Sequence, residues 1–179
     1  MVKNEEYDDK QDREAIVRMV SRSAGKILDV GTGDCCCMAQ LLAKKGFRVT
    51  AIDRSRKNLK AARKEARREK VNSLIDFCRA DAIRLPFPDK SFNVIMAFNT
   101  MHHIRKRAEA IKEMRRVCAN RGKVIIADLT PRGRRVSGHK KDNKFLDSLE
   151  TILNSYFPRV ERIKNKYTAT FVARPGGTR

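Results

Sequence analysis

Residues 26–34, KILDVGTGD, join a short apolar run to a glycine-punctuated turn, and the pattern they open decides the architecture. Lys26–Val30 reads as a strand, and Met38–Leu42 then takes helical spacing up to a stop at Gly46. Strand, loop and helix in that order begin an alternation that continues along the chain. Phe47–Ile52 (FRVTAI) is strand-like, Ser55–Lys70 is an Ala/Lys/Arg/Glu stretch of high helix propensity, and Leu74–Arg79 and Phe92–Phe98 are further β-rich runs. Between those two, Leu85-Pro86-Phe87-Pro88-Asp89 rules out a long crossover helix. Ile104, Ala108, Ile111, Met114, Val117 and Cys118 recur every three or four positions and mark an amphipathic helix, which Asn120-Arg121-Gly122 is expected to stop. Lys123–Asp128 is a fifth strand. The pairs from Phe145/Leu146 to Tyr156/Phe157 mark a further helix, and Val160–Ile163 and Tyr167–Ala173 are two closing strands. This predicts a Rossmann-like, doubly wound α/β domain with helices on both faces of a mostly parallel sheet and its ligand at the carboxyl ends of the strands.

A chain of 179 residues, 41% hydrophobic, buries a real core without staples and is read as one domain, with residues 1–24 as an acidic, helical N-terminal segment and 25–179 as the ligand-binding part. No apolar run approaches the roughly 20 residues a bilayer span needs, and Met1–Glu14 is polar and charged, so a cytoplasmic protein without membrane contact is expected. Cys35, Cys36, Cys37, Cys78 and Cys118 form no C-x-x-C pair, so reduced thiols are expected, with no disulfide framework and no metal. Consecutive helical side chains point about 100° apart, which makes the cysteine triplet read as small packing residues. The formal net charge is +20, and the excess lies beyond the acid-rich first fourteen residues. Polyanions are therefore plausible partners.

The turn itself carries chemistry. A dinucleotide fingerprint would need a third glycine at position 36, which is Cys36, and the carboxylate of Asp29 would repel a pyrophosphate but attract an ammonium group. Asp53 and Asp81 occupy equivalent places after the second and third strands, so the three acids should project from one edge of the sheet. Asp53 is placed to accept from ribose hydroxyls. Asp81 suits an exocyclic amine, and Asp29 an α-ammonium, met directly or through water. Together these describe adenosine joined to an amino acid.

Leu28–Cys35 (LDVGTGDC), Ala51–Ser55 (AIDRS), Ala80–Pro88 (ADAIRLPFP), Phe92–Ile104 (FNVIMAFNTMHHI) and Arg121–Asp128 (RGKVIIAD) resemble the successive motifs of class I S-adenosylmethionine-dependent methyltransferases, type 11 subgroup. The resemblance runs over residues 24–130. It implies a seven-stranded sheet of order 3-2-1-4-5-7-6 with the seventh strand antiparallel, and S-adenosylmethionine as cofactor, leaving as S-adenosylhomocysteine. It also implies that Gly31 and Gly33, with Thr32, flank the methionine part, Asp53 with Arg54 beside it holds the ribose, Asp81 and the Ala82 amide bind adenine, and Asn99 lines the cofactor. Cys35 departs from the pattern where many relatives have a third glycine, so its side chain must point away or the loop must shift.

Methyl transfer is an in-line displacement whose rate comes mostly from alignment, with a base needed where the acceptor arrives protonated. His102 or His103, after the fourth strand, could remove that proton; paired histidines in such a place also cap helices or hydrogen-bond in the core. Arg132, Arg134 and Arg135 stand in the basic stretch Pro131–Lys144, read as a loop that borders the substrate mouth and clamps phosphate or carboxylate groups. The motifs that resemble DNA-base amino methylation are absent, and no cysteine stands where carbon-5 pyrimidine methylation needs one. The expected acceptor is a small molecule. RNA, especially tRNA, and a cofactor-binding scaffold without transfer are the alternatives, with a nicotinamide oxidoreductase last. The acidic N-terminal segment is expected to lie over the cofactor as a lid, with its negative charge folded back on the basic surface.

Overall fold

The computed structural model describes residues 6–21 and 24–176, and expectations that fall on 1–5, 22, 23 and 177–179 lie outside it. In chain order the elements are α1 (Lys10–Arg18), β1 (Ile27–Val30), α2 (Cys37–Lys44), β2 (Val49–Asp53), α3 (Arg56–Arg68), β3 (Ile75–Arg79), β4 (Phe92–Phe98), α4 (Arg107–Val117), β5 (Cys118–Leu129), α5 (Pro131–Val136), α6 (Phe145–Tyr156), β6 (Arg159–Lys164) and β7 (Thr168–Arg174). The seven strands form one sheet of order β3-β2-β1-β4-β5-β7-β6. Strands β1 to β5 run parallel, and β7 is antiparallel to both of its neighbours. This is the architecture read from the alternation and the resemblance.

A parallel sheet needs both faces covered, and period-two burial supplies two apolar faces from the same strands. Ile95, Ala97, Val124 and Ile126 pack with Ile111, Met114, Leu149 and Leu153 of α4 and α6. Their alternates Val94, Met96, Ile125 and Ala127 pack with Ile16, Val17, Leu42 and Ala62 of α1, α2 and α3. The chain reverses its winding between β1 and β4, so their carboxyl ends open a crevice. The site is built there.

Three local expectations change. Asn120-Arg121-Gly122 does not stop α4; β5 begins at Cys118, directly after the helix, and Cys118 belongs to the strand. Its register against β4 steps from Phe92↔Cys118 to Val94↔Lys123, a bulge that absorbs the extra residues. The basic stretch after β5 begins as a short helix rather than a loop, because the Thr130 hydroxyl accepts from the Gly133 amide at 3.1 Å and Pro131 sits in the first turn.

The cysteine triplet is not a continuous helical run either. Cys36 adopts a left-handed backbone (φ 41°, ψ 39°), which turns Cys35 and Cys37 to one side, and the structure joins them as a disulfide with Cα atoms 5.1 Å apart. The expectation of reduced thiols fails at this pair. Cys36 itself is a buried packing residue, its thiol donating to the Ala62 carbonyl at 3.3 Å.

The acidic N-terminal segment does fold back, but onto backbone. Asp12 is buried and accepts from the amides of Lys166, Tyr167 and Thr168 and from the Thr168 hydroxyl at 2.9 to 3.2 Å, fastening α1 to the β6–β7 turn. Among the described residues no helix is long and apolar enough to cross a membrane.

Candidate active site

At the end of β1 the chain turns back over β2. The amides of Gly31 and Thr32 both donate to the Ile52 carbonyl at 2.9 Å. Gly31 (φ +73°) lies so close to Thr100 that a Cβ would sit 2.3 Å from its methyl group. Gly33 (φ +66°) has nothing within 4 Å of such an atom; it faces open space. Gly33 then donates to Asp53 Oδ2 at 3.1 Å, and Asp53 also accepts from the Ser55 amide (2.8 Å) and Asn58 Nδ2 (3.3 Å). One carboxylate thus ties the glycine turn to the head of α3, with about one acceptor position left for a ligand.

A cleft of about 840 Å³ opens here, lined by Gly31, Gly33, Asp53, Arg54, Asp81, Ala82, Asn99 and His103 among others. Asp81 is exposed at the far wall, its Oδ1 accepting from the Ile83 amide at 3.2 Å. Asn99 has a left-handed backbone (φ 48°); its Nδ2 donates to the Tyr7 hydroxyl at 2.9 Å, and its buried Oδ1 has no partner among the described residues.

Asp29 is on the same rim but one layer lower, buried beneath the turn, as is Thr32, and neither lines the cleft. Burial pushes the Asp29 carboxyl up to about 6; the Thr32 side chain and the Ala39 amide pull the other way, and the Asp53 charge adds to the rise. Its Oδ2 is an orphan among the described residues. Direct contact with a ligand ammonium, one of the two expected routes, is closed in this conformation. An attraction across the thin turn remains.

The two histidines divide. His102 is the core one: its Nδ1 lies 2.6 Å from Oδ1 of fully buried Asp128, and its amide donates to Oδ2 at 3.1 Å. His103 lines the cleft, its ring against that of His102 with centroids 4.0 Å apart and planes tilted by 47°. Its pKa is lowered, first by burial and then by the neighbouring His102, His139 and Arg134, with Asp128 opposing. None of Arg132, Arg134 and Arg135 lines the cleft. Arg134 is buried with its guanidinium 4.6 Å from the Phe145 ring centroid, Arg132 lies over Tyr167 at 5.8 Å, and Arg135 points to solvent. Arg134 is buried because α5 winds the stretch inward, where an open loop would have left it at the mouth.

Asp128, His139 and Tyr7 carry geometry that sequence reasoning did not assign. Asp128 stands one residue before the end of β5, close to where Asp53 stands on β2, so the strand-end rule applied once more would have found it. His139 stands in no motif, and only the fold brings it to His102.

The groups around the cleft suit an adenosine linked to an amino acid. Asp53 and Asp81 offer acceptors, Gly33 leaves the floor open, and Asn99 Oδ1 is a buried acceptor without a partner among the described residues. Comparison with known proteins agrees. The type 11 family model described as a methyltransferase domain matches residues 28–126. The chain belongs to the class I S-adenosylmethionine-dependent methyltransferases, type 11. Methyltransferase GfsG of Streptomyces halstedii is 38% identical over 67% of the chain and 44% of its own length. The 27-O-demethylrifamycin SV methyltransferase of Amycolatopsis mediterranei is 31% identical over 64% of the chain and 45% of its own length. The chain thus spans less than half the length of the curated relatives it matches. A crystal structure from Methanococcus maripaludis overlays with TM-score 0.80, covering 94% of the chain and 85% of its own, at 19% identity; that likeness speaks for the fold alone. Within this methyltransferase domain the residues matched by the family include the whole glycine turn, Asp53, Asp81, Asn99 and both histidines, whereas Asp128, His139 and the N-terminal segment lie outside.

Proposed function

We propose that this chain binds S-adenosylmethionine in the cleft and moves its methyl group to a hydroxyl of a small-molecule acceptor. The observation that carries the reading is the Asp53 carboxylate, held by three donors so that the glycine turn and the ribose-facing acceptor form one rigid unit. Asp53 with Arg54 nearby would hold the ribose, Asp81 and the Ala82 amide the adenine, and Asn99 and the Gly31–Gly33 turn the amino-acid end, with Asp29 attracting its ammonium through the turn. When bound, S-adenosylmethionine supplies a sulfonium-activated methyl group. His103, on the cleft wall, takes the acceptor's proton; His102, fixed by Asp128, positions the His103 ring by packing against it. A small acceptor is supported by the Amycolatopsis relative, whose name gives 27-O-demethylrifamycin SV as what it methylates. The segment ahead of α1 acts as a strap over the cofactor through Tyr7 and Asn99.

Calorimetric titration with S-adenosylhomocysteine, followed by turnover over a panel of hydroxylated small molecules, tests this. Binding should be lost in Asp53→Ala. His103→Ala should keep binding and lower kcat by a factor on the order of 10² to 10⁴. Preference for NAD would overturn the cofactor assignment, and binding without turnover on any acceptor would leave a scaffold.

A further inference from the structure

Beside the cofactor cleft, at the end of β5 and the exit of α5, three imidazoles converge. A ring nitrogen of each of His102, His103 and His139 lies within 4.8 Å of those of the other two. Tetrahedral coordination at metal–nitrogen distances of about 2.0–2.1 Å puts ligand nitrogens roughly 3.3 Å apart, so small rotations of the two exposed rings, His103 and His139, bring all three into place.

The hydrogen bonds leave the right atoms available. Asp128 takes Nδ1 of His102, whose side chain is only 7% exposed, so the ring has Nε2 to offer, and that buried atom has no partner among the described residues. An unsatisfied buried nitrogen is costly unless something sits against it. His139 Nδ1 lies 2.8 Å from Ser137 Oγ, and that hydroxyl already donates to the Gly133 carbonyl at 2.7 Å. The serine oxygen therefore accepts from Nδ1–H, and Nε2 of His139 keeps its lone pair. A buried carboxylate behind a histidine is the arrangement that orients and strengthens a metal-binding imidazole. Arg134 is the competing positive charge in this neighbourhood, and Asp128 offsets it.

We propose that His102, His103 and His139 form a three-histidine site for a divalent transition ion of the zinc or cobalt class, oriented by Asp128 and with a fourth position open. Neutral nitrogen donors select such ions over magnesium or calcium, which take oxygen. The site goes beyond the methyl-transfer reading and does not rest on it; the two share His103, whose ring nitrogen takes either the ion or the acceptor's proton and not both at once.

The test uses the full chain freed of metal with a chelator and titrated with Co²⁺. One Co²⁺ per chain should bind with the intense visible absorption of four-coordinate cobalt, and one equivalent of Zn²⁺ should displace it. His139→Ala, an exposed position, should weaken Co²⁺ at least tenfold while S-adenosylhomocysteine binding and the thermal midpoint stay as in the parent; Asp128→Asn should weaken it about 10- to 100-fold. No cobalt spectrum, or one unchanged in His139→Ala, would overturn the site. A spectrum dominated by thiolate charge transfer would assign the ion to the cysteines and overturn it equally. Cofactor binding, measured in the same samples, fails or holds separately.

Discussion

Asn99 Nδ2 donates to the Tyr7 hydroxyl at 2.9 Å, joining the end of β4 to the segment ahead of α1. Tyr7 in turn donates to Asp9 Oδ2 at 3.1 Å, and burial, reinforced by the Asp9 charge, raises its phenol well above the ordinary tyrosine range. Its ring packs on Tyr167 with centroids 5.3 Å apart, and the Tyr167 hydroxyl donates to the Glu6 carbonyl at 3.2 Å. The segment is thus anchored at the start of β7 and reaches Asn99 through two side chains, Tyr7 and Asp9, whose Oδ2 accepts from Asn99 Nδ2 at 3.4 Å.

Tyr7→Phe should therefore separate the strap's functional contact from its anchoring. The ring packing survives, while Asn99 Nδ2 loses the nearer of its two acceptors on this segment and keeps Asp9 Oδ2 at 3.4 Å. A net hydrogen bond of about 0.5–1.5 kcal/mol translates into roughly a two- to tenfold weaker dissociation constant for S-adenosylhomocysteine. Calorimetry with thermal denaturation alongside checks this, the midpoint staying within about two degrees. Unchanged affinity would detach the N-terminal segment from the cofactor site.

Gly31→Ala and Gly33→Ala differ by one methyl group at neighbouring positive-φ positions, yet should fail in different ways. At Gly31 the new Cβ strikes Thr100, whose hydroxyl bonds the Gly31 and Phe98 carbonyls, so folding and binding should both suffer, with a stability loss of about 2 kcal/mol or more. At Gly33 the Cβ meets no protein atom and costs about 1 kcal/mol of backbone strain, while intruding on the cleft. Denaturant melts and cofactor titrations on both variants decide the matter: Gly33→Ala keeps most of its stability and loses binding.

Much of this arrangement was legible in the sequence. β4 is bounded where its apolar run is bounded, at Phe92 and Phe98, and Asp53 and Asp81 fall on the cleft because β-α alternation brings every strand's carboxyl end to one rim. What escaped depends on single backbone conformations or on contacts across the sheet. A helical reading of Cys35-Cys36-Cys37 separates the outer sulfurs; one left-handed residue unites them. Asp29 has the right position along β1, but whether its carboxyl faces the ligand or the underside of the turn depends on how Gly31 and Thr32 fold over Ile52. Arg134 reads as a clamp at the substrate mouth until α5 carries it inward.

The Cys35–Cys37 pairing predicts a thiol count. Alkylation of the unfolded chain without reductant should modify three of the five cysteines, Cys36, Cys78 and Cys118, and all five after reduction, as read by intact mass. Five modified residues before reduction would show that the pair is open in the isolated protein.

Asp29 couples stability to cofactor binding through its pKa of about 6. The unfolded chain releases this proton near 3.8, whereas the folded chain holds it until about 6. Between those values the folded state binds more protons, so this group's contribution to stability is complete below pH 4, falls as pH rises, and is gone above about 6. The penalty at neutral pH is about 2–3 kcal/mol. Asp29→Asn removes the charge, so the stability difference between variant and parent should grow in the variant's favour from pH 4 to pH 6 and then level off. Binding should respond with the opposite sign, because the ammonium group of S-adenosylhomocysteine favours the ionised carboxylate: parent affinity should tighten through pH 6, and Asp29→Asn should bind weakly with little pH dependence. Chemical denaturation and calorimetry at pH 4.5, 6 and 7.5 check both halves. A stability difference that ignores pH would mean that Asp29 is ionised in the folded protein without penalty.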